Sequence, residues 1–351
     1  MNNRKLKIAQ IAPLIERIPP KKYGGTERVI HALTEALVKR GHDVTLFASG
    51  DSLTSAKLRS VFPRSLREAK IRNLYNLNDL TLLNIGIAYQ LSGQFDLIHD
   101  HNGLFSLPTA NICPVPVVMT IHGPITASNK PLYRAMNKPA FVAISKSQAQ
   151  TAPKEMTISG VVHNGLDLEG YPFSAENDGY LLFVGRICME KGTHYAIDIA
   201  QMLNLPLIIA AKLDQTDVPY FNEYIGPRLS DAGISQQIRW IGEVNEEERN
   251  RLMSKALCLL HPATWKEPFG LTLIESLACG TPVVGFNKGS VPEIIKNGLC
   301  GYVVEDEEEM VNAVLNIGKI DRKQCRKYAV ENFNSNLMAD RYEEIYRRLI
   351  P

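Results

Sequence analysis

Two glutamates frame a helix entry in EPFGLTLIESLACGTPVVGF, the stretch from Glu267 to Phe286. Glu267 stands in front of Pro-Phe-Gly, and Glu275 follows after seven intervening residues. The apolar run predicts a helix that enters near Phe269–Thr272 and stops at Gly280. At about 3.6 residues per turn Glu275 lies about two turns in, so the carboxylates need not touch. Amides at such an entry lack intrahelical acceptors and can hold an anion. Carboxylates accept hydrogen bonds from vicinal hydroxyls, so one on the loop and one on the helix can hold two different sugar rings. A solvated surface charge is the bland alternative for Glu275. Its position in an otherwise apolar helix argues against that.

Cations with a complementary chemistry occur in VGRICMEKG, where Arg186 and Lys191 follow an apolar run. An arginine fork and a lysine point charge can clamp a diphosphate, with Gly192 opening the next helix. Gly24 and Gly25 precede another helix and let backbone amides approach an anion, although a tight turn explains them equally well. They lack the G-x-G-x-x-G spacing of dinucleotide folds. His122 ends the run VVMTIH and is predicted to point from a strand end toward a ligand; a satisfied loop histidine is its bland alternative. IHDHNG supplies His99, Asp100, His101 and Asn102. His99 and His101 share one face of a strand, but two histidines fall short of a metal ligand set. Acceptor recognition by His101 is the better reading. No D-x-D occurs in a suitable loop, so no metal is required.

These groups need a scaffold that delivers loops to common edges. Short Val/Ile/Leu runs alternate with helix-period segments: KIAQIA, DVTLFA, FDLIH, VPVVMTIH and AFVAIS, then YLLFVG, LPLIIAA, IRWIG, ALCLLHP, TPVVGF and GYVV. Unbroken runs indicate strands buried on both faces, and the alternation indicates right-handed βαβ units. Ligands then sit at the carboxyl ends of the strands. A chain of 351 residues exceeds one ordinary domain. The polar stretch 163–179 reads as a linker, which divides the chain into residues 1–164 and 165–334, with a terminal amphipathic helix at about 335–351. Residues 51–80 show no clear strand. Thr26 and Thr193 are expected helix caps.

Hydrophobic residues make up 45% and charged residues 22%, a globular composition. The net charge of +2 gives no drive toward nucleic acid. Six cysteines without paired spacing read as reduced, buried thiols in a cytoplasmic protein. MNNRKLKIAQIAP reads as a first strand rather than a signal peptide, and no apolar stretch reaches the length of a membrane span. Residues 57–72 carry Lys57, Arg59, Arg64, Arg67, Lys70 and Arg72 against Glu68. An acceptor, an anionic membrane at its inner face, or plain solvation all fit that run.

Taken in order, these motifs closely resemble the retaining glycosyltransferases of family 4, which have the GT-B fold. The resemblance rests on Glu267-x7-Glu275 around Pro-Phe-Gly-Leu, on Gly24-Gly25, on Arg186 with Lys191, and on ISGVVHNGLDL, CGTPVVGFNKGSVPEII and NGLCGYVV. It covers nearly the whole chain. It implies an α/β architecture of two Rossmann-like domains facing a central cleft, with a C-terminal helix crossing back to the first domain. The first domain then takes a glycan, lipid or small-molecule acceptor, and the second takes the nucleotide-sugar donor. The resemblance implies that Glu275 binds ribose and Glu267 binds the transferred sugar with amides of Phe269, Gly270, Leu271 and Thr272. Arg186 and Lys191 stabilise the leaving diphosphate, Gly242 and Val244 meet the base, and His122 lies beside the anomeric carbon. His101 and Asn102 are expected on the acceptor side. No cofactor is implied, and UDP- and GDP-linked donors both remain open. A nucleotide-sugar epimerase on the same fold and a non-catalytic nucleotide-sugar-binding subunit are the competing readings; the two glutamates, the cations and His122 favour the transferase.

Overall fold

A computed structural model describes residues 4–22, 24–71, 73–230 and 237–350. Arg72 of the basic run therefore lies outside the described residues. The chain forms two compact units, Met1–Asp167 with Asn334–Pro351, and Leu168–Phe333.

The first unit is built on seven parallel strands: β1 (Lys7–Ile11), β2 (Asp43–Phe47), β3 (Lys57–Arg59), β4 (Leu97–Asp100), β5 (Val117–Ile121), β6 (Ala140–Ala143) and β7 (Ile158–Val161). Their order is β3-β2-β1-β4-β5-β6-β7. The second has six: β8 (Leu181–Arg186), β9 (Leu207–Lys212), β10 (Ile238–Trp240), β11 (Cys258–His261), β12 (Val283–Phe286) and β13 (Gly301–Val304). Their order is β10-β9-β8-β11-β12-β13. Both sheets are doubly wound and reverse direction beside their first strand, between β1 and β4 and between β8 and β11. Loops diverge there and leave a crevice at the carboxyl ends. Residues such as Ile8, Ile11, Leu46, Val118, Leu182, Ile209 and Val284 are fully or almost fully buried, as strands covered on both faces require.

Two strands escape the apolar pattern. Lys57–Arg59 is exposed at all three positions and pairs only with β2, an edge position where charge blocks further pairing. Ile158–Val161, from the motif ISGVVHNGLDL, is the opposite edge strand and pairs with β6. The threonine caps are not formed. Gly24 and Gly192 occupy the cap positions, and Thr26 and Thr193 lie inside the helices that follow. All six cysteines are free and buried.

The helix Ser335–Leu349 belongs to the first unit. It buries Met338, Ala339, Tyr342, Ile345 and Tyr346, one stripe at helix spacing. Polar anchors lock its flank: Glu343 receives Arg40 at 2.6 Å and His42 at 2.5 Å, while Asp340 also meets Arg40 at 2.5 Å. Glu343 is 16% exposed and Asp340 56%. Glu343→Ala should therefore cost about 2 kcal/mol, since it strips charged hydrogen bonds from the buried His42 and the largely covered Arg40. Asp340→Ala should cost no more than about 1 kcal/mol, as exposed pairs do. Urea titration of the two variants checks the ordering.

Candidate active site

In the second unit, parallel register sets two cations side by side. Arg186 ends β8 and pairs in register with Lys212, which ends β9. Arg186 Nε lies 3.4 Å from Asp217, and Lys212 Nζ lies 3.1 Å from Asp214. Lys212 was not singled out by the sequence. A lone lysine after LPLIIAA looks like any solvated strand end until the register puts it beside Arg186.

Lys191 closes a short turn after β8, and Gly192 explains how it reaches its partner. Gly192 has φ +69°, and a Cβ there would stand 2.1 Å from the carbonyl of Pro262. Only glycine lets this turn lie against the loop after β11. The Thr264 amide, donating to the Glu190 carbonyl at 2.9 Å, joins the two loops. Lys191 Nζ then meets Glu267 Oε1 at 2.5 Å. The other carboxylate oxygen lies 3.0 Å from His261 Nε2, at the end of β11. Gly289, with φ +57°, fits under the Glu267 backbone, where a Cβ would come within 2.5 Å of its nitrogen. Ser290 secures the same loop, its amide donating to the Glu267 carbonyl and its hydroxyl to that of Phe269.

Burial alone would raise the Glu267 pKa, but the Lys191 ammonium, with help from His261, overrides it and holds the carboxyl well below its ordinary range. Glu267 is thus a permanent carboxylate, suited to accepting hydrogen bonds and unsuited to donating a proton. Gly270, with φ +80°, caps the helix Leu271–Ala278, so the first-turn amides open beside Glu267. Trp265 also lies here, its ring centroid 5.9 Å from Lys191 Nζ. His261 and Trp265 were missed. Their signal was present in LLHPATW, a histidine at a strand end and an aromatic two residues before the glutamate.

Glu275 is arranged differently from expectation. It is 0% exposed, and its Oε1 receives Arg249 at 3.0 Å and the Tyr171 hydroxyl at 3.1 Å. Burial excludes a solvated helix charge. It also means that Oε1 is already engaged inside the unit. Gly242 and Val244 lie in the partly exposed loop after β10, two strands along from β8.

In the first unit, alternation along neighbouring strands gathers polar groups on one sheet face. Gln10 pairs in register with His99, and His99 with Val118. His101, Thr120 and His122 therefore share the face of Gln10 and His99. His122 follows β5, with Nε2 2.9 Å from His101 Nδ1. Gln148 fixes the turn, donating to the carbonyls of Ile121 at 2.8 Å and Gly123 at 2.7 Å. Burial pulls the His122 pKa down to about 4 and those of His99 and His101 well below the usual range, so all three rings are neutral. His101 is 5% exposed, with its other nitrogen on Gln10 at 2.6 Å. Direct acceptor recognition by His101 is not what this geometry offers, because both ring nitrogens are engaged inside the unit. Asn102 is tied back as well, its side chain donating to the Ile11 carbonyl at 3.1 Å. Gly24 and Gly25 open the helix Gly25–Lys39. In the basic run Lys57 pairs with Asp43, Arg67 with Glu16, and Glu68 with Lys21. Among the described residues no group of three or more His, Cys, Asp or Glu forms a metal site.

Comparison with known proteins agrees with this layout. Residues 172–332 match the profile described as Glycosyl transferases group 1, and residues 23–169 match Glycosyltransferase Family 4. The chain belongs to glycosyltransferase family 4. It is a glycosyltransferase with the GT-B fold. An uncharacterised glycosyltransferase of Methanocaldococcus jannaschii is 24% identical, over 84% of this chain and 85% of that protein. Glycogen synthase of Mycobacterium tuberculosis is 25% identical, over 81% and 79%. The crystal structure of Anabaena HepE in complex with UDP and glucose superposes with a TM-score of 0.75 at 18% identity, covering 98% of this chain and 100% of that one.

The buried pair under the helix makes a stability prediction. Glu275→Ala strands Arg249, which keeps only Glu246 at 3.5 Å and its neighbour Asn250. Loss of one partner of a buried ion pair costs about 3–5 kcal/mol. The double variant Glu275→Leu with Arg249→Met should recover a large part of that. Chemical denaturation of both proteins is the check, and equal losses would show that the stranded Arg249 is not the source of the cost.

Proposed function

We propose that this enzyme moves a sugar from a nucleoside diphosphate sugar to an acceptor hydroxyl with retention of anomeric configuration. The observation that carries the reading is the Lys191–Glu267 pair at 2.5 Å, set beside the entry of the Leu271–Ala278 helix. A lysine there meets a diphosphate leaving group, while the carboxylate beside it meets hydroxyls of the transferred sugar. Arg186, with Lys212 adjacent, adds charge for the diphosphate. The amides of Phe269, Gly270, Leu271 and Thr272 complete the cradle. Gly242 and Val244 meet the base, and Glu275 meets the ribose once its present partners yield. Gly24 and Gly25 are the first unit's candidate donor-binding residues, and Asn102 its candidate acceptor residue. The donor is UDP- or GDP-linked, and the acceptor is a glycan, lipid or small molecule.

The charge of Glu267 is compensated by Lys191 and its other oxygen faces His261, which makes it a poor nucleophile, and Glu275 is enclosed. A double displacement through either is disfavoured. What remains is same-face transfer. The bond from the anomeric carbon to the diphosphate breaks, the acceptor oxygen bonds to the same face, and its proton passes to the departing phosphate oxygen. The reaction requires His122 at the anomeric carbon, where a neutral imidazole tolerates the positive charge of an oxocarbenium-like state. No metal step is needed, since the cations do the clamping. The free thiols fit a reducing compartment, and we place the enzyme in the cytoplasm. Contact of the basic segment with the inner face of an anionic membrane fits the same reading, although its paired charges weaken that attraction.

Two measurements test this. Lys191→Ala should lower the transfer rate about 10- to 150-fold, the equivalent of a charged hydrogen bond of roughly 1.5–3 kcal/mol. Proton NMR of the first-formed product should show an α-glycoside from an α-linked donor. A β-product would overturn the same-face mechanism.

A further inference from the structure

The polar face of the first sheet continues well beyond His122. His101 Nε2 lies 2.6 Å from Gln10 Oε1, and Gln10 Nε2 lies 3.4 Å from His99 Nδ1. His99 Nδ1 also meets the Tyr346 hydroxyl at 2.6 Å, and His99 Nε2 meets Thr120 Oγ1 at 2.7 Å. Thr120 Oγ1 in turn lies 2.8 Å from the Tyr342 hydroxyl. Gln10, His99 and Thr120 are fully buried, as are Tyr342 and Tyr346 to within 1%. Every link therefore operates without water, and an unpaired atom anywhere in the chain is costly.

Such a chain restricts proton positions. A contact of 2.6 Å suits an imidazole N–H donating to an amide oxygen, and 3.4 Å suits the longer reach of an amide N–H to a ring nitrogen. With Gln10 so oriented, its oxygen accepts from His101, which carries its proton on Nε2. Its Nδ1 is then a lone pair and must receive the proton of His122 Nε2. On the other side, the single lone pair of His99 Nδ1 accepts from the Tyr346 hydroxyl at 2.6 Å, with the Gln10 amide a longer secondary contact at 3.4 Å, and His99 donates from Nε2 to Thr120. Every polar atom named has a complementary partner. Reversing His101 and His122 requires the amide of Gln10 to turn over as well.

We infer that Gln10 and His101 are positioning residues that hold His122 as the tautomer with its proton on Nε2 and an unprotonated Nδ1, and that Tyr346 anchors this setting from the helix Ser335–Leu349. The inference rests on the reading that His122 works at the anomeric carbon, and it deepens that reading. An unprotonated Nδ1 accepts a hydrogen bond from a sugar hydroxyl, and a neutral ring does not oppose a positive anomeric centre. His122 then serves as an acceptor whose state is set some distance away, from the helix Ser335–Leu349.

The experiment reads ring protonation directly and uses the protein alone. Two-bond 15N–1H correlation spectra of the 15N-histidine-labelled full chain, assigned by single-histidine variants, report which nitrogen of each ring bears the proton. Wild-type His122 is expected as one tautomer with Nε2 protonated. In Gln10→Met, which keeps the volume and removes the acceptor, His101 and His122 should exchange between both tautomers. His42, which lies in a separate network, should keep its signals and serve as the folding control. A wild-type His122 protonated on Nδ1, or mixed, overturns the inference; so does a folded Gln10→Met with His122 unchanged. Should Gln10→Met fail to fold, the wild-type spectrum decides alone. The reading of His122 at the anomeric carbon is judged separately, by whether His122→Ala loses transfer.

Discussion

A carboxylate almost out of water is stable only if something charged comes to it, and much of the second unit is arranged around meeting that condition for Glu267. Lys191 and His261 reach its two oxygens from the turn after β8 and the end of β11. Those strands flank the point where the sheet reverses, so the fold supplies the two partners from opposite directions. Gly192 and Gly289 remove the two side chains that would hold the loops apart. Were the loops a few ångströms further apart, Glu267 would be a protonated acid in an apolar wall instead of a fixed negative charge beside a fixed positive one.

The first unit solves the opposite problem. Its cluster beside the reversal point contains three imidazoles without a carboxylate among their ring partners, and burial leaves them uncharged. Polar complementarity replaces charge pairing: each donor is used by a neighbour, and direction is conveyed by an amide. The two clusters therefore differ in kind. One is a set of compensated charges that a ligand can exchange for its own, while the other is a neutral network that loses its order when any member is removed.

How much of this could be read in the sequence depends on whether a residue acts through its own loop or through the register of neighbouring strands. Glu267, Arg186, Lys191 and His122 declare themselves because each ends an apolar run or precedes a helix entry. Lys212 does not, because its importance lies in pairing with Arg186 across two strands. Gln10 is a polar letter inside KIAQIA, a visible anomaly whose partner, His99, is fixed only by register. Glu275 was legible as buried, from its apolar helix, but not as enclosed, since Arg249 and Tyr171 come from distant segments. The edge strands Lys57–Arg59 and Ile158–Val161 were illegible for a different reason: with few buried neighbours they carry no hydrophobic period.

The first unit is discontinuous in the chain, while the second, Leu168–Phe333, is a single uninterrupted segment. Synthesis runs from the amino terminus, so the second unit has all its residues before Ser335 is made. The first must wait, its sheet complete but without the helix that covers Gln10, His99 and Thr120. During that interval three buried polar side chains lie open to solvent, and a hydrophobic stripe's worth of sheet lies open beside them. The order of translation thus makes the first unit the later to be completed. Its histidine network closes only when Tyr342 and Tyr346 arrive.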